Sequence, residues 1–436
     1  MSETVILRGG TVVDSAGSRV ADVLVHEGRI AEIGAHIESP TGARTLDARG
    51  CWVGPGFVDL HTHLREPGRE DAETVASGTR AAAVGGYSAV VAMPNTEPAI
   101  DNALVATYVL EQGRRALVDV AVAGAITVGR RGEQIAPFAE LAALGVRLFT
   151  DDGMGVQNPS VMRRAMTYAA PMGLRLAQHC EDEALAAGGV MNEGVLSSRL
   201  GLNGRPALAE ELMVWRDLQL VRLTGCPIHF LHLSTAASLA LVVSARDEGL
   251  PVTFEIAPHH FTLDESACAT FDSGFKVHPP LRTRRDVEFL RHALATGLVD
   301  AVATDHAPHA PELKDLPFDD APAGMLGLEH AAALTLDAVG VDNPALFFQV
   351  LSRGPAAIAQ LRPSDERVGI SGHGGDLHPG DDANLVVFDP TAIHTVDRWH
   401  LQSRSVNTPY HGRELQGRTR HLLVRGVTVV EDEVLP

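Results

Sequence analysis

The chain has 436 residues, 45% of them apolar and 21% charged, the composition of a folded protein too long for one small core. Its 55 acidic and 36 basic residues give a formal charge of −19, which argues against a nucleic-acid partner. No charged-plus-apolar leader opens the chain and no run nears the roughly 20 apolar residues of a membrane span, so the expected compartment is cytoplasmic. Cys51, Cys180, Cys226 and Cys268 are scattered, with no Cys-x-x-Cys pair, and read as buried thiols.

Residues 1–53 alternate like short strands, in Val5-Ile-Leu-Arg-Gly-Gly-Thr-Val-Val and Asp22-Val-Leu-Val, with Gly and Asp turns between. The other end echoes this: Arg8-Gly-Gly-Thr-Val-Val-Asp14 has a counterpart in Arg425-Gly-Val-Thr-Val-Val-Glu431, and Asn384–Phe388 is a further strand. The expectation is one small β-sandwich domain built from 1–53 and 365–436, flanking a larger domain over 54–364. There, short apolar strands ending near Leu60, Met93, Ala125, Thr150, Gln178, Leu231, Ala257 and Thr304 alternate with helical stretches. The helices fit 72–84, 103–114, 133–144, 159–172, 207–223, 235–248, 284–297 and 327–339. Eight such β-then-α units predict an α/β fold, a (β/α)8 TIM-like barrel with its chemistry at the C-terminal strand ends.

Polar groups recur at those ends. The first strand runs into His61-Thr-His63, whose imidazoles share one face of an extended chain and suit a metal such as zinc; Arg65 keeps that parity. The second ends in Met93-Pro-Asn95, the fourth in Asp151-Asp152, the fifth in His179, the sixth in His232. His259 and His260 follow the seventh, and Asp305-His-Ala-Pro-His309 follows the eighth. Any one of these is more often structural; their recurrence where a barrel converges its residues marks a site.

The motifs Asp59-Leu-His-Thr-His-Leu-Arg-Glu-Pro-Gly68, Met93-Pro-Asn-Thr96, Thr150-Asp-Asp-Gly153, His179-Cys-Glu-Asp182, His232-Leu-Ser-Thr235, Pro279-Pro-Leu-Arg282 and Ala303-Thr-Asp-His-Ala-Pro-His309 resemble the amidohydrolase superfamily. Within it the chain resembles the class I dihydroorotases over nearly its whole length. The resemblance implies that His61, His63 and Asp305 hold one metal ion, that His179 and His232 hold a second, and that Asp152 bridges the two, with Zn2+ as cofactor. It implies substrate contacts from His63, Leu64, Arg65, Asn95, His309 and the Ala323-Gly324 backbone. Where the family commonly has Asn before Pro-Pro this chain has His278, which takes the place of that ring contact or lies aside. Hydantoinases and many relatives bridge their metals with a carboxylated lysine at the end of the fourth strand; here the only lysines are Lys276 and Lys314. A bridging carboxylate must come from an acid, which favours Asp152 and counts against a hydantoinase-type centre.

The implied activity is the reversible cyclisation of N-carbamoyl-L-aspartate to L-dihydroorotate in pyrimidine biosynthesis, through attack of a metal-activated hydroxide on the ring amide. Asp305 is the expected general base and then acid. The implied partner is the small-molecule substrate; a homodimer and a complex with aspartate transcarbamoylase are both compatible with the resemblance. The rival readings are another cyclic-amide hydrolase, such as an allantoinase or hydantoinase, and a non-catalytic subunit, which would be expected to have lost metal ligands. Cys180 and His229 are expected in packing or supporting roles. Glu181-Asp182 is expected partly to position His179, and the proline-rich 310–324 segment to form an ordered loop over the barrel mouth.

Overall fold

A computed structural model describes residues 4–362 and 369–435; the expected boundary at 364/365 lies outside the described residues. Eight parallel strands occur in the expected order: Phe57–Thr62, Tyr87–Ala92, Asp119–Val122, Leu148–Thr150, Arg175–Gln178, Ile228–Phe230, Val252–Ile256 and Ala301–Val302. The first three hydrogen-bond as one arc and the last five as another. Parallel bridges close the ring, Gly124 to Phe149 between the third and fourth strands and Thr62 to His306 between the first and eighth. The strands are buried on both faces, which is why they read as short continuous apolar runs rather than alternating ones.

The helices start where the chain supplies caps. Thr74 and Ser77 form a capping box for Val75–Gly85, and Asn102, Asn158, Thr235 and Thr283 cap Ala103–Gly113, Pro159–Ala169, Ala236–Asp247 and Arg284–Ala295. Three expected helices begin late, the one expected over 72–84 at Val75. The one expected over 133–144 begins at Phe138, because Pro137 holds its predecessor out of helical geometry, and the one expected from 327 begins at Ala331. The third strand ends at Val122, short of the expected Ala125. An insertion between the fifth strand and helix Ala207–Thr224 carries a two-stranded ladder, Met191–Asn192 with Gly204–Arg205, that the sequence reading did not foresee.

Both ends of the chain join one eight-stranded sheet, the small β domain of this fold. Strand Trp52–Pro55 lies between the two ends, parallel to Val5–Asp14 and antiparallel to Leu385–Thr395. Val5, Leu7, Val23, Val53, Leu385, Val387 and Leu423 form its core. An aromatic cluster joins it to the barrel: the Trp52 and Phe57 rings meet Phe347 edge-on at 5.4 and 5.5 Å, and Phe347 meets Phe388 at 4.9 Å. Each such pair contributes about 0.5–1.5 kcal/mol beyond the area it buries. Among the described residues, no helix is long and apolar enough to cross a membrane.

Candidate metal centre and substrate pocket

At the C-terminal ends of the strands, His61, His63, Asp152, His179 and His232 converge, all buried. Asp152 Oδ1 lies 3.3 Å from His61 Nε2 and 3.6 Å from both His179 Nδ1 and His232 Nε2, while its Oδ2 lies 3.6 Å from His63 Nε2. Asp305 Oδ1 lies 3.3 Å from His63 Nε2 and 3.6 Å from His61 Nε2. His61 Nε2 and Asp152 Oδ1 are buried without a hydrogen-bond partner, a costly state for polar atoms. The separations explain it. Two ligands on one ion at about 2.0–2.1 Å stand about 3.3 Å apart along a tetrahedral edge, near what these atoms show. The donor set fits a metal cofactor.

The electrostatics agree. Burial works against charge throughout the cluster, yet Asp152 and Glu255 hold His61 well above its ordinary pKa. His179 is likewise raised, against burial, to about 9 by Asp152 and Glu181. Asp152 and Asp305 are held low despite burial by the surrounding imidazoles. Such a cluster attracts positive charge to its centre.

Groups behind the cluster orient it. His61 Nδ1 donates to Glu255 Oε1 at 2.9 Å and His63 Nδ1 to Asn95 Oδ1 at 2.9 Å, leaving each Nε2 lone pair facing the centre. Glu255 also accepts from His229 Nε2 at 3.0 Å, which gives His229 the supporting place expected of it. Glu255 itself was missed, although a carboxylate inside Val252-Thr-Phe-Glu-Ile256 was a readable signal: an acid within an apolar barrel strand is buried and needs partners. Asp151 turns away to accept from Thr127 N at 2.9 Å. Glu181 lies 3.9 Å from His179 Nε2 and pairs with Arg205, whereas Asp182 caps helix Glu183–Ala186. Cys180 packs in the main core. His259 Nε2 lies 4.0 Å from Asp305 Oδ2, and His260 Nε2 donates to Pro279 O at 2.9 Å.

The expected substrate contacts ring this centre. Arg65 does not continue the strand parity expected of it, because the strand ends at Thr62 and Arg65 has a left-handed backbone, φ 61°. Its Nε donates to Pro308 O at 3.1 Å, and among the described residues no carboxylate pairs with its guanidinium. The Leu64 side chain packs in the core against helix Val75–Gly85, where a Cβ on Gly78 would meet it at 2.4 Å, so only its backbone is left for a ligand. His309 Nε2 donates to Ala323 O at 2.8 Å. Gly324 has φ 146°, and a Cβ there would lie 2.7 Å from His309 Nε2, so glycine is required. His278 sits on the Glu181 and Arg205 side with its Nε2 buried and unpartnered; burial first, and Arg205 second, push its pKa down to about 3. Asn407 was not foreseen. Its Oδ1 accepts from His309 N at 3.2 Å, and its amide donates to Ala307 O and Gly324 O at 3.0 and 3.1 Å. It lies about a hundred residues along the chain from what it holds, and no local pattern announces it.

Comparison with known proteins agrees with this geometry. A family model described as dihydro-orotase-like matches residues 50–238. A dihydroorotase of Pelotomaculum thermopropionicum is 44% identical over 435 residues, 99% of each chain. The chain belongs to the dihydroorotase family. A Mycobacterium tuberculosis dihydroorotase is 44% identical over 95% of this chain and 96% of its own. Among solved structures, the L-hydantoinase (dihydropyrimidinase) of Arthrobacter aurescens superposes with a TM-score of 0.86 at 25% identity, covering 100% of this chain and 98% of that one. As a dihydroorotase-family chain, this protein is a metal-dependent cyclic amidohydrolase on the barrel-plus-β-domain fold it shares with that enzyme.

Proposed function

We propose that the chain interconverts N-carbamoyl-L-aspartate and L-dihydroorotate in the cytoplasm, ring closure being the biosynthetic direction. The catalytic unit is 54–364, flanked by the β domain of 1–53 and 365–436. We read the metal as zinc in two positions: His61, His63 and Asp305 would hold one, His179 and His232 the other, and Asp152 would serve both. The observation that carries this reading is the buried, unpartnered pair His61 Nε2 and Asp152 Oδ1 at the meeting point of four imidazoles. Zinc held by these residues would supply a bound water of strongly lowered pKa, about 7, and a Lewis acid for the carbonyl.

The chain's own residues do the rest. In ring opening, Asp305 takes the proton of the attacking water and delivers it to the departing ring nitrogen; in closure the transfers reverse. Its carboxyl, held low by the histidines against burial, is ionised, and its Oδ1 stands 3.3 Å from His63 Nε2 at the edge of the centre. Arg65 meets the substrate carboxylate through a two-pronged pair that lysine would not reproduce, assisted by Asn95 and by the face of His309 opposite Ala323. The Leu64 and Ala323-Gly324 backbones and His278 contact the ring.

The test is ring opening of dihydroorotate followed by ultraviolet absorbance, before chelation, after it, and after adding zinc back. Turnover that chelation abolishes and zinc restores is the expected result. Metal-replete protein that leaves dihydroorotate intact would refute the proposed substrate.

A further inference from the structure

Only two of the 36 basic residues are lysine, and both act at the barrel mouth on the same loop. Lys276 Nζ donates to Phe318 O and Asp319 O at 2.8 and 2.9 Å. Lys314 Nζ donates to Pro322 O and Gly324 O at 2.9 and 3.2 Å. Neither forms an ion pair among the described residues. In each case two carbonyls close in sequence converge on a point. A compact ammonium with three donors serves that arrangement.

The loop over 311–324 begins with a short helix, Pro311–Lys314, where the sequence showed few helix signals. It is stitched to the 273–276 segment by Gly324 N donating to Lys276 O at 2.9 Å and by Ser273 Oγ donating to Lys314 O. Phe318 anchors it in a small separate cluster with Met191, Val277 and Leu281, and Lys276 Nζ lies 5.8 Å from the Phe318 ring centre. Between the two carbonyls gripped by Lys314 lies Ala323, whose own carbonyl receives His309 Nε2.

We propose that Lys314 and Lys276 are positioning residues for the reaction: they hold the 311–324 loop on the barrel mouth and, through Ala323, set the imidazole of His309 against the substrate. This rests on the function proposed above. Around Lys314, burial and then the Lys276 charge push the amine's pKa down to about 7, with Asp272 opposing; His309 also faces it. Acetic anhydride reaches this buried amine only when the loop lifts, so the acylation rate reports how firmly the loop is held.

The experiment measures dihydroorotate ring opening by wild-type, Lys314→Met and Lys276→Met proteins of matched metal content. Methionine keeps the apolar stem and removes the donors. The expected result is KM raised about tenfold with kcat within about twofold, the signature of lost positioning rather than lost chemistry. Active wild-type protein with an unchanged KM in both variants overturns this inference alone. Wild-type protein inactive on dihydroorotate overturns the proposed function and this inference with it. Should the variants fail to fold, Lys314 acetylation by acetic anhydride in the wild-type protein decides. A rate slowed by a saturating mixture of dihydroorotate and carbamoyl-aspartate supports the clamp, and an unchanged rate overturns it.

Discussion

The barrel carries a buried histidine–aspartate constellation at each end, and the two differ in one respect. At the floor, His373 Nδ1 pairs with Ser88 Oγ and its Nε2 with Asp119 Oδ2, both at 2.9 Å, and Asp119 accepts from Ser371 N at 2.8 Å. By residue type this is the serine–histidine–aspartate set of a hydrolase. Yet Ser88 is 0% exposed and both imidazole nitrogens are satisfied, so the network fastens the 371–384 segment to the second and third strands. At the mouth, His61 Nε2, Asp152 Oδ1, His232 Nδ1 and His259 Nε2 are equally buried and have no hydrogen-bond partner. Burial and composition are alike at the two ends; satisfaction separates them. A completed network stabilises, and an incomplete one waits for a ligand.

The sharpest way to break this comparison is at Asp305. Asp305→Asn should fold with a wild-type melting curve and lose turnover by about 10³-fold, since it removes a proton carrier and leaves the shape. Turnover near wild type would take Asp305 out of the mechanism. A smaller effect is expected from Glu255→Gln, which loosens the orientation of His61: metal affinity should weaken by about 10- to 100-fold in a chelator competition, with the fold intact. At the floor the order reverses. His373→Ala should leave kcat within about twofold while costing about 1–3 kcal/mol in denaturant unfolding, because Asp119 loses a buried partner. If turnover fell as far as in Asp305→Asn, the floor would be more than a fastening.

The smallest effect concerns acid. Burial works against the Asp119 charge, but His373, Arg425 and Ser371 hold its pKa below the ordinary 3.8. A carboxylate depressed on folding contributes stability that is fully present above the unfolded value and lost as pH falls through the folded one. Asp119→Asn should therefore be less stable than wild type at pH 7, with a deficit that narrows below 3.8. A gap that stays constant between pH 7 and pH 2 would mean that Asp119 acts through packing alone.

Much of this molecule was legible along the chain, and for a local reason. Strands buried on both faces read as apolar runs, helices show their caps at Thr74, Asn102 and Thr283, and a parallel barrel sends each strand's last residues to one end. His61, His63, Asp151-Asp152, His179, His232 and Asp305 were thus marked by position along with Asn95, His259, His260 and His309, and the family likeness alone chose among them and preferred Asp152 to Asp151. Parity failed at Arg65 because alternation holds only while the chain stays extended, and its backbone there is left-handed. What the tertiary structure alone decided are pairings across long stretches of chain. Thr62 meets His306 to close the ring, Glu255 chooses which nitrogen of His61 faces the centre, Asn407 fixes His309, and Asp119 takes His373 to the floor. No periodicity encodes such pairs: a lone polar residue in a strand or loop shows that it needs a partner, and only packing determines which partner arrives.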